Sequence, residues 1–261
     1  MGTAAREKDG IRNAGGSLNT PYVKRFQMNT QGRDFAVGDI HGCFGLLQTV
    51  LDSNGFDAAR DRLFSVGDLV DRGPDSEAAL EWIAKPWFHA VQGNHEDMAI
   101  RYVNPGQRDA AHYLMNGGAW LVGMPPHEQS EYALGLATLP YAIEVETADG
   151  LVGIVHADVA GETWAEMVTH FANVTSNNKL KAITNHCLWD RQRVQSEDVS
   201  GVPDVRAVVV GHTPLKRPAI LGNVYHIDTG AVFRDGYFTL LDLATLVTIP
   251  PRAKALTWEA A

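Results

Sequence analysis

The chain lacks the features that mark several common protein classes. It has only two cysteines, Cys43 and Cys187, in 261 residues. That excludes a disulfide framework and a cysteine-built structural zinc site, and it fits a cytoplasmic protein. No apolar run approaches the roughly 18 residues of a membrane-spanning helix, so no membrane partner is expected. The first residues carry no basic stretch followed by an apolar one, as a secretory leader would. Lys and Arg total 22 against 31 Asp and Glu, a formal net charge of −9. Without a basic field to displace condensed counterions, nucleic acid is excluded as the main partner. The charge says little about an anionic substrate, because bound dications add positive charge that a residue count omits. No repeat of fixed period is present, and nothing in the sequence fixes an oligomeric state.

What the chain does have is one design used five times: a short apolar run, a glycine or other small residue, then Asp, Asn or His. The five are FAVGDIHG (Asp39, His41), LFSVGDLVDRG (Asp68, Asp71, Arg72), HAVQGNHE (Asn94, His95, Glu96), GIVHAD (His156) and VVVGHTP (His212). Any one of these reads as an ordinary strand-to-loop turn or a packed core histidine. All five together read as oxygen and nitrogen donors delivered to one edge of a sheet, the donor types that divalent ions prefer. Two ions about 3.5–4 Å apart need a bridging ligand, which a carboxylate can be and an imidazole cannot. Asp39, His41 and Asp68 can hold one ion; Asp68, Asn94, His156 and His212 can hold the other. The glycines before Asp39, Asp68, Asn94 and His212 fit tight turns where a side chain would block the approach of backbone to ligand.

The flanking pattern predicts the fold. A strand to Val37, a helix at about 44–54, a strand at 63–66, a helix at about 75–84, a strand at 88–91 and a helix at about 95–103 form a βαβαβ opening, with a ligand site at the carboxyl ends of the strands. Residues 104–140 read as a small helical cap, interrupted at Asn116-Gly117-Gly118 and broken at Pro125-Pro126. Short strands are expected at 141–146, 151–155, 206–210, 224–227 and 237–242. The stretch 158–205 has weak periodicity and reads as a lid loop. The fold class expected is α/β, two mixed sheets packed as a sandwich flanked by helices. The domain spans 33–250, between a flexible extension at 1–32 and a tail at 251–261.

The ordered set GDIHG, GDLVDRG, GNHE, HAD and GHTP resembles the phosphoprotein phosphatase family of calcineurin-like metallophosphoesterases, especially its phage-lambda-type and bacterial members. The likeness continues through PWFHAVQGNHE, LMNGGAW, LWDRQR and YHIDTGAVF, over roughly residues 33 to 243. It implies the metallophosphoesterase fold and hydrolysis of phosphomonoesters on serine or threonine, sometimes tyrosine, of protein or peptide partners. It also implies two divalent ions, most often Mn²⁺, although iron, zinc or another divalent ion fits the same donors.

Such hydrolysis must neutralise charge and hold attacking and leaving oxygens in line, so direct attack by a hydroxide bridging the ions is expected. His95 is the candidate general acid, with Asp71 orienting it. Arg72 and Arg191 are the candidate phosphate clamps, since a guanidinium grips phosphate bidentately. Arg193 reads as a solvated neighbour, Trp189 as packing, Glu96 as either a ligand-orienting group or a helix N-terminal acid, and Asp228 and Gly230 as shaping the turn behind the site. The spacing from His156 to Trp189 is longer than in phage-type enzymes, which bears on the lid. Two alternatives stand beside this reading. A symmetrical dinucleoside tetraphosphate hydrolase shares the metal site, but in that family the second motif usually lacks the carboxylate at Asp71 and the third more often ends in Asp than Glu. A catalytically silent phosphoprotein-binding module would have lost a ligand or His95, and none is missing.

Overall fold

The computed structural model describes residues 22–250. From its start, β1 (Val23–Phe26) and β2 (Asp34–Val37) precede α1 (Phe44–Ser53). Then β3 (Arg62–Ser65) leads through a single 3-10 turn into α2 (Ala79–Ile83), and β4 (Phe88–Ala90) into α3 (Asn94–Val103). The cap follows as α4 (Ala110–Met115), α5 (Ala119–Val122) and α6 (Pro126–Leu136), with Pro126 in the first turn of α6, where its missing N–H leaves no bond unmade. A hairpin of β5 (Ala142–Thr147) and β6 (Gly150–Val155) comes next, then α7 (Trp164–Ala172), α8 (Asn177–Trp189) and α9 (Gln192–Ser196). The chain closes with β7 (Ala207–Val210), β8 (Ala219–Leu221), β9 (Val224–His226), β10 (Leu240–Asp242) and β11 (Val247–Ile249).

The strands form two mixed sheets, ordered β1-β5-β6-β7-β9-β8 and β11-β10-β2-β3-β4. Their alternation sorts side chains into three layers. Ala36, Phe64, Ile143, Val152, Ile154 and Val209 point between the sheets, while Phe35, Val37 and Leu63 point outward to the helices of the first half. On the other outer face Val155, Val208 and Val210 meet Trp164, Met167 and Phe171 of α7 and Cys187 of α8. Strand β7 is buried at all four positions, so Ala-Val-Val-Val serves two layers at once. Each fully buried Val, Leu or Phe contributes about 1.5–3 kcal/mol of transfer free energy. Among the described residues, no helix is long and apolar enough to cross a membrane.

Three expectations need correcting. Residues 23–26, expected in the flexible extension, form β1, which pairs in parallel with β5 and is tied to it by an Arg25–Glu144 ion pair at 2.8 Å. Residues 1–21 and the tail at 251–261 lie outside the described residues. The lid loop expected at 158–205 holds three helices. Thr163 caps α7 by accepting from the Glu166 N–H, and Ser176 caps α8 by accepting from the Lys179 N–H. Edge strands β8 and β11 also escaped the sequence reading.

Candidate active site

The motif residues stand just past the carboxyl ends of parallel strands: Asp39 and His41 after β2, Asp68, Asp71 and Arg72 after β3, and Asn94 and His95 after β4 in one sheet. In the other, His156 follows β6 and His212 follows β7. The two sheets bring these ends into one buried cluster. The His212 N–H donates to both carboxylate oxygens of Asp39, at 3.1 and 3.2 Å. Asn94 Oδ1 lies 2.8 Å from His156 Nε2 and 2.9 Å from His212 Nδ1. Asp68 sits at the centre, its oxygens 3.4 Å from His156 Nε2 and 3.6 Å from His41 Nε2. Donor atoms of Asp68, His156 and His212 lie within 4.8 Å of one another, as do those of His41, Asp68 and His95. Close approach requires glycine here: a Cβ on Gly211 would strike Asp39 Oδ1, and one on Gly93 would strike Asp68 Oδ1.

The backbone at this edge is strained. His41, Asp68, Asp71, Arg72 and His212 have φ of 46°, 50°, 71°, 68° and 66°. They are five of the eight non-glycine residues in the left-handed region among those described, so the strain is concentrated at the site rather than spread over the loops. Each costs of the order of 1–3 kcal/mol and persists only where its surroundings fix it. Glu96 supplies much of that fixing. Its buried carboxylate accepts from the Gly93 N–H at 2.7 Å, Asp68 N–H at 2.9 Å, Leu69 N–H at 2.7 Å and Val70 N–H at 3.3 Å. It therefore caps α3 and orients the Asp68 loop together, both roles the sequence allowed. Burial pushes its pKa up to about 8, whereas four N–H donors favour the ionised form.

The donor set suits divalent metal. His41 Nδ1 faces the Val70 carbonyl at 3.0 Å and His156 Nδ1 faces the Val66 carbonyl at 2.8 Å, so each ring donates there and presents an Nε2 lone pair to the Asp68 carboxylate. Burial lowers His41 to about 3 and His212 to about 2, and lowers His156 as well. Unprotonated lone pairs against carboxylate oxygens repel one another unless a cation lies among them. His95 behaves differently. Burial opposes its charge too, but Asp68 and the hydrogen bond from Nδ1 to Asp71 Oδ2, 2.7 Å long, outweigh that and raise its pKa. One histidine is thus biased toward its charged form among three biased toward the neutral one.

Arg72 places Nη1 2.7 Å from His41 Nε2. Arg191 is exposed, and its charge helps depress both His156 and His212. Arg193 is not the solvated neighbour expected: it is largely buried, paired with Asp158 at 3.0 Å, and it anchors the turn that carries Arg191. Trp189 packs on the core and meets the His212 ring edge-on at 6.1 Å. Asp228 accepts from the Gly230 N–H at 2.8 Å, where Gly230 has φ of 65°, and its charge helps raise Asp39 after burial itself. Two residues escaped the sequence reading. Tyr113 Oη and Trp120 Nε1 both donate to Asp71 Oδ1, at 2.9 and 2.6 Å. The Trp of LMNGGAW was a visible signal, since an indole N–H in an apolar helix needs an acceptor.

A two-sheet sandwich with this donor cluster at one edge defines a metallophosphoesterase. The calcineurin-like phosphoesterase model matches residues 35–216, and the chain belongs to that family, hydrolases acting on phosphoric esters. The chain is 37% identical over 209 residues to serine/threonine-protein phosphatase 1 of Salmonella typhimurium, covering 79% of this chain and 89% of that one. It is 33% identical over 174 residues to the symmetrical bis(5'-nucleosyl)-tetraphosphatase of Methylococcus capsulatus, covering 61% of each. Among solved structures, a protein serine/threonine phosphatase from Saccharomyces cerevisiae shares the fold, with a TM-score of 0.56 at 15% identity over 93% of this chain and 85% of that one.

Proposed function

We propose that this chain is a metal-dependent protein phosphatase that removes phosphate from serine or threonine side chains, and also from tyrosine, of phosphorylated proteins or peptides. The observation that carries this reading is the buried His95–Asp71 pair beside a cluster of neutral imidazoles and carboxylates. It supplies a proton donor for a poor alkoxide leaving group, which a phosphoserine ester has and a phosphoanhydride lacks. Asp39, His41 and Asp68 would hold one divalent ion, and Asp68, Asn94, His156 and His212 a second, with Mn²⁺ as the first choice. When bound, such ions neutralise phosphate charge and acidify water. The protein's own residues do the rest. Arg72 and Arg191 bind and orient the phosphate oxygens, Asp71 fixes the His95 ring and favours its protonated form, and Nε2–H of His95 passes its proton to the departing oxygen. The protein phosphatases that match 76–79% of this chain share 30–37% identity with it, against 26–28% for asymmetrical bis(5'-nucleosyl)-tetraphosphatases that match 76–83%, and this supports the phosphatase reading over dinucleotide hydrolysis.

The test is a rate comparison on a phosphoserine or phosphothreonine peptide, diadenosine tetraphosphate and an aryl phosphate, each with several divalent ions. We expect kcat/KM on the peptide to exceed that on the dinucleotide by at least about tenfold, about 1.4 kcal/mol of transition-state preference. A dinucleotide preference of that size would leave the family assignment standing and overturn the phosphatase reading.

A further inference from the structure

We propose that the cap is a clamp on the Asp71-Arg72 dipeptide, with Tyr113, Trp120 and the Asn116-Gly117-Gly118 turn as positioning residues that hold Asp71 against His95 and Arg72 toward the phosphate. The proposal rests on the hydrolase reading above.

Asp71 is fully buried, and each of its polar atoms is engaged from a different direction. Its N–H donates to Ser76 Oγ at 2.9 Å, Oδ2 faces His95 Nδ1 at 2.7 Å, and Oδ1 takes both cap donors. A buried carboxylate is stable only with such donors, and donors arriving from α4, α5 and α3 fix its rotation as well as its charge. The cap donors are themselves locked. The Tyr113 ring packs on Tyr102 of α3 at 5.3 Å between centroids, and Trp120 packs edge-on against Tyr132 of α6 at 5.0 Å. Burial and the Asp71 charge raise the Tyr113 phenol, which keeps it a donor. Phenylalanine would keep the ring of Tyr113 and much of the apolar contact of Trp120 without either polar atom, so apolar packing alone does not account for the two donors.

The same turn lies flat on the next residue. Gly117 has φ of 98°, and a Cβ there would sit 2.6 Å from Arg72 N and 3.0 Å from Arg72 Cα and Cγ. Gly118 lies equally close on the Tyr113 ring, where a Cβ would collide with Cε1. Asp71 and Arg72 are consecutive non-glycine residues in the left-handed region, a conformation that a free loop would abandon. The cap's backbone stands where it prevents that.

The experiment uses the full metal-loaded chain and the variants Tyr113→Phe, Trp120→Phe, their double and Gly117→Ala. A phosphoserine peptide and an aryl phosphate are the paired substrates. On the peptide each Phe variant should lower kcat by about tenfold and the double by about 100-fold, within the range that general acid catalysis is worth. On the aryl phosphate, whose leaving group needs no proton, the losses should stay under about threefold. KM and bound metal should be unchanged in all three. Gly117→Ala should instead raise KM and the inhibition constant of inorganic phosphate by about tenfold, the worth of one charge-assisted contact at Arg72. Equal losses on both substrates, or none, would overturn the Asp71 half of the clamp. Unchanged phosphate inhibition in a folded Gly117→Ala protein would overturn the Arg72 half. If that variant does not fold, Asn116→Ala, which frees the same turn from its 2.9 Å bond to the His112 carbonyl, takes its place with the same expected rise, and unchanged phosphate inhibition there overturns the Arg72 half. Wild-type protein without metal-dependent turnover of either ester would overturn the hydrolase reading itself, a different result from a working enzyme indifferent to the cap donors.

Discussion

Replacing His95 by Asn separates proton donation from metal binding. The ring is 1% exposed, its Nδ1–H is committed to Asp71 at 2.7 Å, and only Nε2–H is left to face a substrate. Its backbone N–H donates to Asp68 Oδ1 at 3.0 Å, a hydrogen bond the substitution does not touch, whereas ring Nε2 stands 3.9 Å from Asp68 Oδ2, beyond hydrogen-bond reach. His95→Asn should therefore retain both ions. Turnover of a phosphoserine peptide should fall by about 10²–10⁴-fold, the usual worth of general acid catalysis. At about 1.36 kcal/mol per tenfold, that is about 2.7–5.4 kcal/mol of lost transition-state stabilisation. Leaving the Asp71 carboxylate short of a charged donor costs a further 1–3 kcal/mol or so of folding stability, visible as a lower Tm. The assay pairs phosphate release from the peptide with release from an aryl phosphate, and counts metal in each preparation by elemental analysis. The aryl ester should lose much less. Equal losses on the two esters, or loss of metal from the variant, would refute the assignment of His95 as the acid.

Two further outcomes follow from the same geometry. Exhaustive chelation should abolish turnover and added Mn²⁺ restore it, with Tm rising by the equivalent of about 2.7 kcal/mol per ion at a hundred times its Kd; Asp68→Asn should lose metal and this Tm response together, and full activity in a metal-free preparation would sink the two-ion reading. Because His95 is raised from its ordinary value by Asp68 and Asp71 against the pull of burial, its pairing energy is fully present below about pH 6.5 and is lost as pH rises through the elevated folded value. The basic limb of kcat should mark that value, and Asp71→Asn should shift the limb to lower pH; a limb that stays in place would remove Asp71 as the cause.

The ligand edge was legible because parallel strands write their ends into sequence. Runs such as FAV, LFS and VVV are buried on both faces, and each stops at a small residue followed by a donor. Edge strands carry no such mark. The β1 segment VKRF buries only Val23, and the β11 segment VTI buries only Thr248, so neither forms a continuous apolar run. Helices α7 and α8 were hidden differently. Trp164, Met167 and Phe171 do recur at helical spacing, and Thr163 with Glu166 is a capping signature. The long polar run between Ala172 and Leu180 diluted the period across the segment. The indole of Trp120 showed only that its N–H needs an acceptor; that the acceptor is Asp71, 42 positions from Tyr113 and 49 from Trp120, is a pairing no local pattern encodes.

The two hydrogen bonds from His212 to Asp39 join residues 173 positions apart. The donor cluster is thus among the most non-local contacts in the chain, and such contacts form late, after the entropy of closing the loop has been met. At a synthesis rate of about 5–20 residues per second, roughly 9–35 s separate the emergence of the first donor from that of the last. Through that interval the nascent chain carries Asp39 and Asp68 without the partners that would make them an ion site. Metal capture therefore reports that the strands carrying the donors, β2, β3 and β4 of one sheet and β6 and β7 of the other, have come together, and a chain stalled or truncated before VVVGHTP would carry the early motifs yet be unable to assemble the chemistry.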